Sequence, residues 1–281
     1  NHVTISYQKD AAAFAQVGGG QSFMGDASGN TVSITGKAVT ADGEMTPNVT
    51  ITSAIGGTAF MGSADNDSVS LDHVDVANPY LSYRYMPYGY SMSSPFGETA
   101  GVIGGAAYEG SMSPLETPAN ATASASNNQV VLIDSSVTTS AEEMADLPVA
   151  ASGISIIGGY AYHDYAAELA ADTTAYTAST HADGHRISLV RSQADTVLGG
   201  IAIGISDVTV AEDAAASLTE DAETPAYTLS LNVSANDNLV QLTDSTVTNI
   251  IGAMATAGST DEDTAITYPN TETANKNRVS L

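Results

Sequence analysis

The residues able to do chemistry stand singly or in pairs. Asp72 and Asp75 flank His73, and Asp134 and Asp244 occupy matching places in two later segments. Two carboxylates converging across a groove are what glycoside hydrolysis needs, so these acids are the candidates for such a reaction. With 32 Asp and Glu in 281 residues, acids near one another also arise with no catalytic cause, and no catalytic residue is assigned. Arg186 and Arg191 could supply the base of a lyase, but no acid cluster for calcium accompanies them. His181-Ala182-Asp183-Gly184-His185 has the spacing of a zinc-binding pair, which works on one face of a helix. Asp183-Gly184 is a turn signal, so a structural turn is expected there and no metal site. His163-Asp164 reads as a solvated corner. The sequence holds no nucleotide-binding loop, nucleophile elbow or Cys–His arrangement. No cofactor is therefore expected, although the acid excess would favour weak calcium binding without a motif to place it.

Between Asn78 and Phe96 the chain concentrates Tyr80, Tyr83, Tyr85, Tyr88, Tyr90 and Phe96 around Arg84. Tyrosine offers a large rigid contact area with a hydroxyl at little entropic cost, and arginine adds cation–π or carboxylate contacts. These seven residues are the candidate ligand-binding set. The alternative is that the rings pack the segment against the side of the fold.

A repeat must position these residues. One element, A, reads Asn or Asp, any residue, a β-branched residue, any residue, then Ile or Leu. It occurs at Asn1–Ile5, Asn30–Ile34, Asp67–Leu71, Asn128–Leu132, His185–Leu189, Asn238–Leu242 and Asn277–Leu281, with His185 alone breaking the leading Asn/Asp rule. A second element, B, sets a small pair and then alternation behind an aliphatic residue. Gly19-Gly20, Gly56-Gly57, Gly104-Gly105, Gly158-Gly159 and Gly199-Gly200 mark its copies, and Ile251-Gly252-Ala253 is a decayed one. A and B alternate from end to end.

In A, the β-branched residue and the Ile or Leu two places on share one face of a strand. Val3, Val32, Val69, Val130, Ile187, Val240 and Val279 are expected to form one inward ladder, with Ile5, Ile34, Leu71, Leu132, Leu189, Leu242 and Leu281 beside it. The leading Asn1, Asn30, Asp67, Asn128, Asn238 and Asn277 suit a turn, because Asn tolerates left-handed backbone, and stacked Asn side chains can hydrogen-bond from copy to copy. Paired glycines permit backbone angles, or a close approach, that a Cβ would forbid.

Stacked copies bury identical faces, and crossovers between parallel strands are right-handed in nearly all cases. The expected fold class is therefore all-β: one right-handed parallel β-helix, or β-solenoid, of about six coils over residues 1–281. Irregular loop insertions are expected near 78–99, 110–127, 138–152, 163–184, 207–230 and 257–275, with helix-like stretches at Ser140–Ala145 and Tyr165–Ala170 inside them. A β-propeller would need regular spacing and antiparallel hairpins.

Composition agrees. The apolar residues are mostly Ala, Val and Ile, which suit stacked strands. Seven Lys and Arg against 32 Asp and Glu give a formal charge of −25. That repels nucleic acid and anionic lipid surfaces. There is no cysteine, hence no disulfide framework, and no apolar run approaches the ~20 residues of a membrane span. Both chain ends fall within copies of A, as expected for a fragment of a longer protein whose end strands were paired there.

These repeats resemble the passenger domains of bacterial autotransporters, the type V secretion products, whose coils carry Asn-x-Val-x-Ile followed by an Ile/Val-Gly-Gly-x-Ala/Ser corner. The likeness runs from Asn1 to Leu281. It implies a secreted, virulence-associated adhesin at the bacterial cell surface, without enzymatic activity, whose rigid β-helix displays loops to a host-cell glycan or protein receptor. It also implies possible self-association, and membrane contact only through a C-terminal outer-membrane anchor outside this chain. Two other functions stay open: a polysaccharide-degrading β-helix enzyme, lyase or glycoside hydrolase, suggested by the fold and the acids, and a purely structural stalk.

Overall fold

The structure, a computed structural model, describes residues 1–23, 25–41, 44–77, 101–110, 120–138, 155–169, 175–210, 227–259, 266–267 and 269–281. The protein is all-β, with no helix among the described residues. Element A supplies a seven-stranded sheet, I, in the order His2–Ser6, Thr31–Thr35, Ser68–Asp72, Gln129–Ile133, Arg186–Val190, Leu239–Thr243 and Arg278–Ser280. Each pair is parallel and in register, so that Val32 lies between Val3 and Val69, and Leu132 between Leu71 and Leu189.

Element B and its flanks build an eleven-stranded sheet, II, whose long strands are Ala12–Phe23, Val49–Phe60, Val102–Gly110, Tyr160–Leu169, Ile201–Val210 and Met254–Ser259. A five-stranded sheet, III, contains Asn120–Ser124, Ala175–His181, Tyr227–Ser234, Ile266–Thr267 and Thr271–Thr273. All pairings in II and III are parallel. The exception among the described residues is an antiparallel hairpin, Ala38–Ala41 with Glu44–Pro47, which leaves the chain between sheets I and II.

The ladders expected of A are buried in the interior copies: Val32, Val69, Val130, Ile187 and Val240 are all at most 1% exposed, as are Ile34, Leu71, Leu132 and Leu189. Val3, Ile5 and Leu242 are partly buried. On the last strand Val279 is 46% and Leu281 90% exposed, because that strand is covered from one side only. The A ladders pack against Val49, Ile51, Val74, Val102, Ile156 and Val197 of sheet II in one continuous core. Sheet II buries its other face too: Ile55, Phe60, Ile103, Tyr108, Tyr160, Tyr162 and Ile203 form a second cluster. Its rings run from Phe60 to Tyr108 to Tyr160, with centroids 5.4 Å apart at both steps.

Several expected insertions are partly sheet. Residues 110–127, 163–184, 207–230 and 257–275 contain most of sheet III and the ends of the long sheet II strands. The helix-like stretch Tyr165–Ala170 is strand as far as it is described: Tyr160–Leu169 is one strand, paired residue for residue with Ile201–Val210. Ala and Thr dominate these stretches, so their alternation of small side chains carried little hydrophobic contrast. The insertion at 78–99 and the helix-like Ser140–Ala145 lie outside the described residues, as does all of 138–152 but its first residue.

The leading residue of A and the glycine pair of B turn out to be packing partners. A Cβ on the first glycine of a pair would sit 2.2 Å from the next copy's carbonyl oxygen at Gly19 and 2.1 Å at Gly56, Gly104 and Gly158. A Cβ on the second glycine would strike the side chain at the head of A: Asp67 at Gly57, Asn128 at Gly105, His185 at Gly159. Close approach, not unusual backbone angle, demands these glycines; the left-handed residues at this corner are instead Gly29, Asn66, Asn127, Gly184, Asp237 and Lys276, each just before the head of A. The head residue is thus freed from the turn and points inward, where its side chain accepts the main-chain N–H of the preceding copy. Asn30 N–H donates to Asp67 Oδ1 at 2.7 Å and Asp67 N–H to Asn128 Oδ1 at 2.8 Å. Asn238 N–H donates to Asn277 Oδ1 at 3.0 Å, and Asn1 donates to Asn30 Oδ1.

Candidate functional site

The chemistry-bearing residues converge at the opposite end of sheet I, where each A strand turns into sheet II. His73, Asp134, Arg191 and Asp244 occupy the same position in successive copies, two residues after the Leu of A. All four have positive φ, between 47° and 54°. Their main chains are stacked: His73 N–H donates to Ile133 O, Asp134 N–H to Val190 O and Arg191 N–H to Thr243 O. Left-handed backbone in non-glycine residues costs about 1 kcal/mol or more each, and the stack holds them there while throwing their side chains outward.

Behind this column runs a serine ladder. Ser135, Ser192 and Ser245 each donate their hydroxyl to the carbonyl two residues back, Ile133, Val190 and Thr243. Each Oγ also accepts a neighbouring copy's N–H: Val74 donates to Ser135, Ser135 to Ser192 and Ser192 to Ser245, at 3.0 to 3.2 Å. The amides of His73, Val74, Asp134, Ser135, Arg191 and Ser192 are thereby satisfied without water. The third row, on the first outward position of sheet II, is polar: Asp75, Ser136, Gln193 and Thr246 align in register, and Ser136 donates its hydroxyl to Asp75.

These rows form an open groove of about 480 Å³, with Ala38, Thr46 and Pro47 of the hairpin as one wall. Its charges are organised as an ion-pair ladder. Arg191 holds Asp134 with both guanidinium arms, Nε to Oδ1 at 2.7 Å and a terminal nitrogen to Oδ2 at 2.6 Å. That fork holds the Asp134 carboxyl below the usual carboxylate range and raises the Arg191 guanidinium. His73 Nδ1 is 2.6 Å from Asp72 Oδ1, and its Nε2 lies 3.9 Å from Asp134 Oδ2. Ligand atoms of Asp72, His73 and Asp134 all fall within 4.8 Å of one another, the one grouping among the described residues with the donor set for a metal ion. Both Asp134 oxygens already accept from Arg191, so a cation there would share them with the guanidinium.

The structure therefore brings together His73, Asp72, Asp75, Asp134, Asp244 and Arg191. It separates Arg186, which lies on sheet I between Gln129 and Leu239. His181 and His185 do not share a site. His181 Nδ1 is 2.8 Å from Ser234 Oγ, Gly184 makes the expected turn with φ +73°, and His185 is fully buried at the head of A. His163 is no solvated corner: it is 1% exposed within the strand Tyr160–Leu169, and burial holds its imidazole down to about 4. Beside it in register, Glu109 is pushed up to about 7 by burial. The aromatic candidates Tyr80, Tyr83, Arg84, Tyr85, Tyr88, Tyr90 and Phe96 lie outside the described residues.

Two signals in the sequence pass unread when A is taken to begin at its Asn. An alanine stands three residues before each head, at Ala27, Ala64, Ala125, Ala182, Ala235 and Ala274. The first five pack in an alanine core with Ala59, Ala107, Ala161 and Ala202. The second signal is the serine three residues after the Leu of A, at Ser135, Ser192 and Ser245.

Compared with protein families, with curated proteins and with solved structures, the chain matches none.

Proposed function

We propose that the chain is a right-handed parallel β-helix working as a rigid binding scaffold at a bacterial cell surface, an adhesin of the autotransporter-passenger kind, with a host-cell glycan or protein receptor as its ligand. The observation that carries this reading is the contrast between frame and excursion. Seven A strands stack in unbroken register, while a hairpin leaves the frame and segments of unequal length connect its strands in sequence. A stiff repeat supplies position, and specificity comes from what projects beside it. The groove offers hydroxyl and amide groups of Ser136, Gln193 and Thr246 in a row, suited to a hydroxylated ligand. The Tyr80–Phe96 segment carries in its sequence the aromatic residues that glycan and protein recognition both use.

A lyase or glycosidase would use the same groove, and the chemistry favours binding over catalysis. Glycoside hydrolysis needs one carboxyl that keeps its proton. The groove's shifted carboxyl, Asp134, moves the other way, and the raised ones, Asp67 and Glu109, are not among the groove's residues.

The test is a glycan-array and host-cell attachment screen with the full chain, run beside polysaccharide hydrolysis assays. Replacing Tyr83, Tyr85 and Tyr88 by Ala, or Gln193 and Thr246 by Ala, should reduce attachment while leaving thermal unfolding unchanged. Release of sugar ends without lasting attachment would overturn the adhesin reading in favour of an enzyme. Neither attachment nor hydrolysis would leave the stalk.

A further inference from the structure

The heads of four interior copies, Asp67, Asn128, His185 and Asn238, are placed alike beneath the second glycine of a pair. One side-chain atom accepts the preceding copy's N–H, as described for Asp67 and Asn128. Likewise, Asn128 N–H donates to His185 Nδ1 at 3.2 Å and His185 N–H to Asn238 Oδ1 at 2.8 Å. The other atom turns to the alanine carbonyl of the preceding copy, beneath the second glycine of the pair. A Cβ on Gly105 would lie 2.4 Å from Ala64 O and 2.6 Å from Asn128 Nδ2. On Gly159 it would lie 2.5 Å from Ala125 O and 2.3 Å from His185 Nε2, and on Gly200 2.6 Å from Ala182 O and 3.1 Å from Asn238 Nδ2. In these three copies the atom facing the carbonyl is a nitrogen bearing hydrogen: an amide, or the Nε2 of a histidine whose Nδ1 is the acceptor. Asn238 Nδ2 makes this bond to Ala182 O at 3.3 Å, whereas Asn128 Nδ2 and His185 Nε2, placed alike, have no hydrogen-bond partner.

At Gly57 the same point lies 2.2 Å from Ala27 O and 2.3 Å from Asp67 Oδ2. Here two oxygens crowd one point where the other copies bring a nitrogen bearing hydrogen and an oxygen. Asp67 is 1% exposed, and its Oδ2 has no hydrogen-bond partner. Two acceptors in a dry corner repel, and one proton turns them into a donor and an acceptor.

We infer that Asp67 is carried in the folded protein as the neutral carboxylic acid, its Oδ2–H donated to the Ala27 carbonyl, so that this rung of the ladder is a latch closed by a proton. The Ala27 oxygen already accepts from Asn30 Nδ2 at 2.5 Å and has a second lone pair for it. Burial pushes the Asp67 carboxyl up to about 7, outweighing the hydrogen bonds that Asn30 donates to Oδ1. The charged groups that reach it are Asp65, which raises it further, and the amino terminus of Asn1, which lowers it. Its packing neighbours Asn30, Asn128 and Gly57 are neutral.

The linkage has a definite sign. A carboxyl with a raised folded-state value favours the folded form fully below the unfolded value, 3.8, and that contribution is lost as pH climbs to about 7. Urea unfolding of the full chain and of Asp67→Asn, across this range, tests the latch. The amide supplies its donor at every pH. The ratio of the two unfolding constants should therefore shift by about two to three orders of magnitude in the variant's favour between pH ~4 and ~7, then stay level. A ratio independent of pH would overturn the inference. Should the variant not fold, carbon NMR of the unmodified chain decides: an Asp67 carboxyl titrating near 7 supports the latch, and one titrating near ~4 overturns it.

Discussion

Gly104→Ala isolates the contact on which the repeat depends. The new Cβ would lie 2.1 Å from the carbonyl oxygen of Gly158 and 2.9 Å from Asn128 Cβ, and both are held by neighbours. Gly158 N–H is bonded to Leu198 O at 3.0 Å and Gly199 N–H to Ile251 O at 2.9 Å, so the glycine column cannot shift locally. Relieving the clash requires about 1 Å of backbone displacement between strands paired on both sides. Overpacking of this kind costs ~1–3 kcal/mol, and one or two weakened ladder bonds add ~0.5–1.5 kcal/mol each. The expected loss is therefore ~2–5 kcal/mol, a large part of the ~5–15 kcal/mol that stabilises an ordinary domain. Gly18→Ala is the matched control, since a Cβ there meets nothing within 4 Å. It should be neutral or stabilising by up to ~1 kcal/mol, through the unfolded chain's lost freedom. Urea unfolding followed by circular dichroism measures both. If Gly104→Ala and Gly18→Ala shift the midpoint equally, close approach is not the reason for the paired glycines.

The buried histidine of the ladder has the opposite pH dependence to Asp67. Burial holds the His185 imidazole down to about 3, so below 6.5 the unfolded chain takes up a proton that the folded one refuses, and stability falls as pH drops from 6.5 toward that value. His185→Asn should flatten this acid limb in unfolding experiments; an unchanged limb would place its origin elsewhere. In the groove, Arg191→Ala should return the Asp134 carboxyl toward the ordinary carboxylate range, read by carbon NMR titration, with little change in unfolding because the arginine is exposed. An Asp134 value that stays low would show that the guanidinium fork is not its cause.

The all-β class, the strands of sheet I and their inward ladders are written in the sequence, because a period of two with β-branched residues says which face is buried whatever the strand's neighbours are. The recurring Gly-Gly pair was legible as a place of backbone constraint, but its cause was not. That cause is the next copy's carbonyl and the side chain at the head of A, brought in from 10 to 54 residues away, as where Gly57 meets Asp67 and Gly104 meets Gly158. The sheet III strands Asn120–Ser124 and Ala175–His181 escaped the sequence reading because they are mostly alanine and hydroxyl residues, leaving little hydrophobic contrast to read. The groove is a product of tertiary structure in a stricter sense. His73, Asp134 and Arg191 are each unremarkable alone, and they become an ion-pair ladder only because parallel in-register stacking sets equivalent corner residues one strand spacing apart, ~4.8 Å. Stacking likewise makes Asp67 special, since an acid in a column of amide and imidazole donors is an ordinary substitution in sequence and an orphaned oxygen in space.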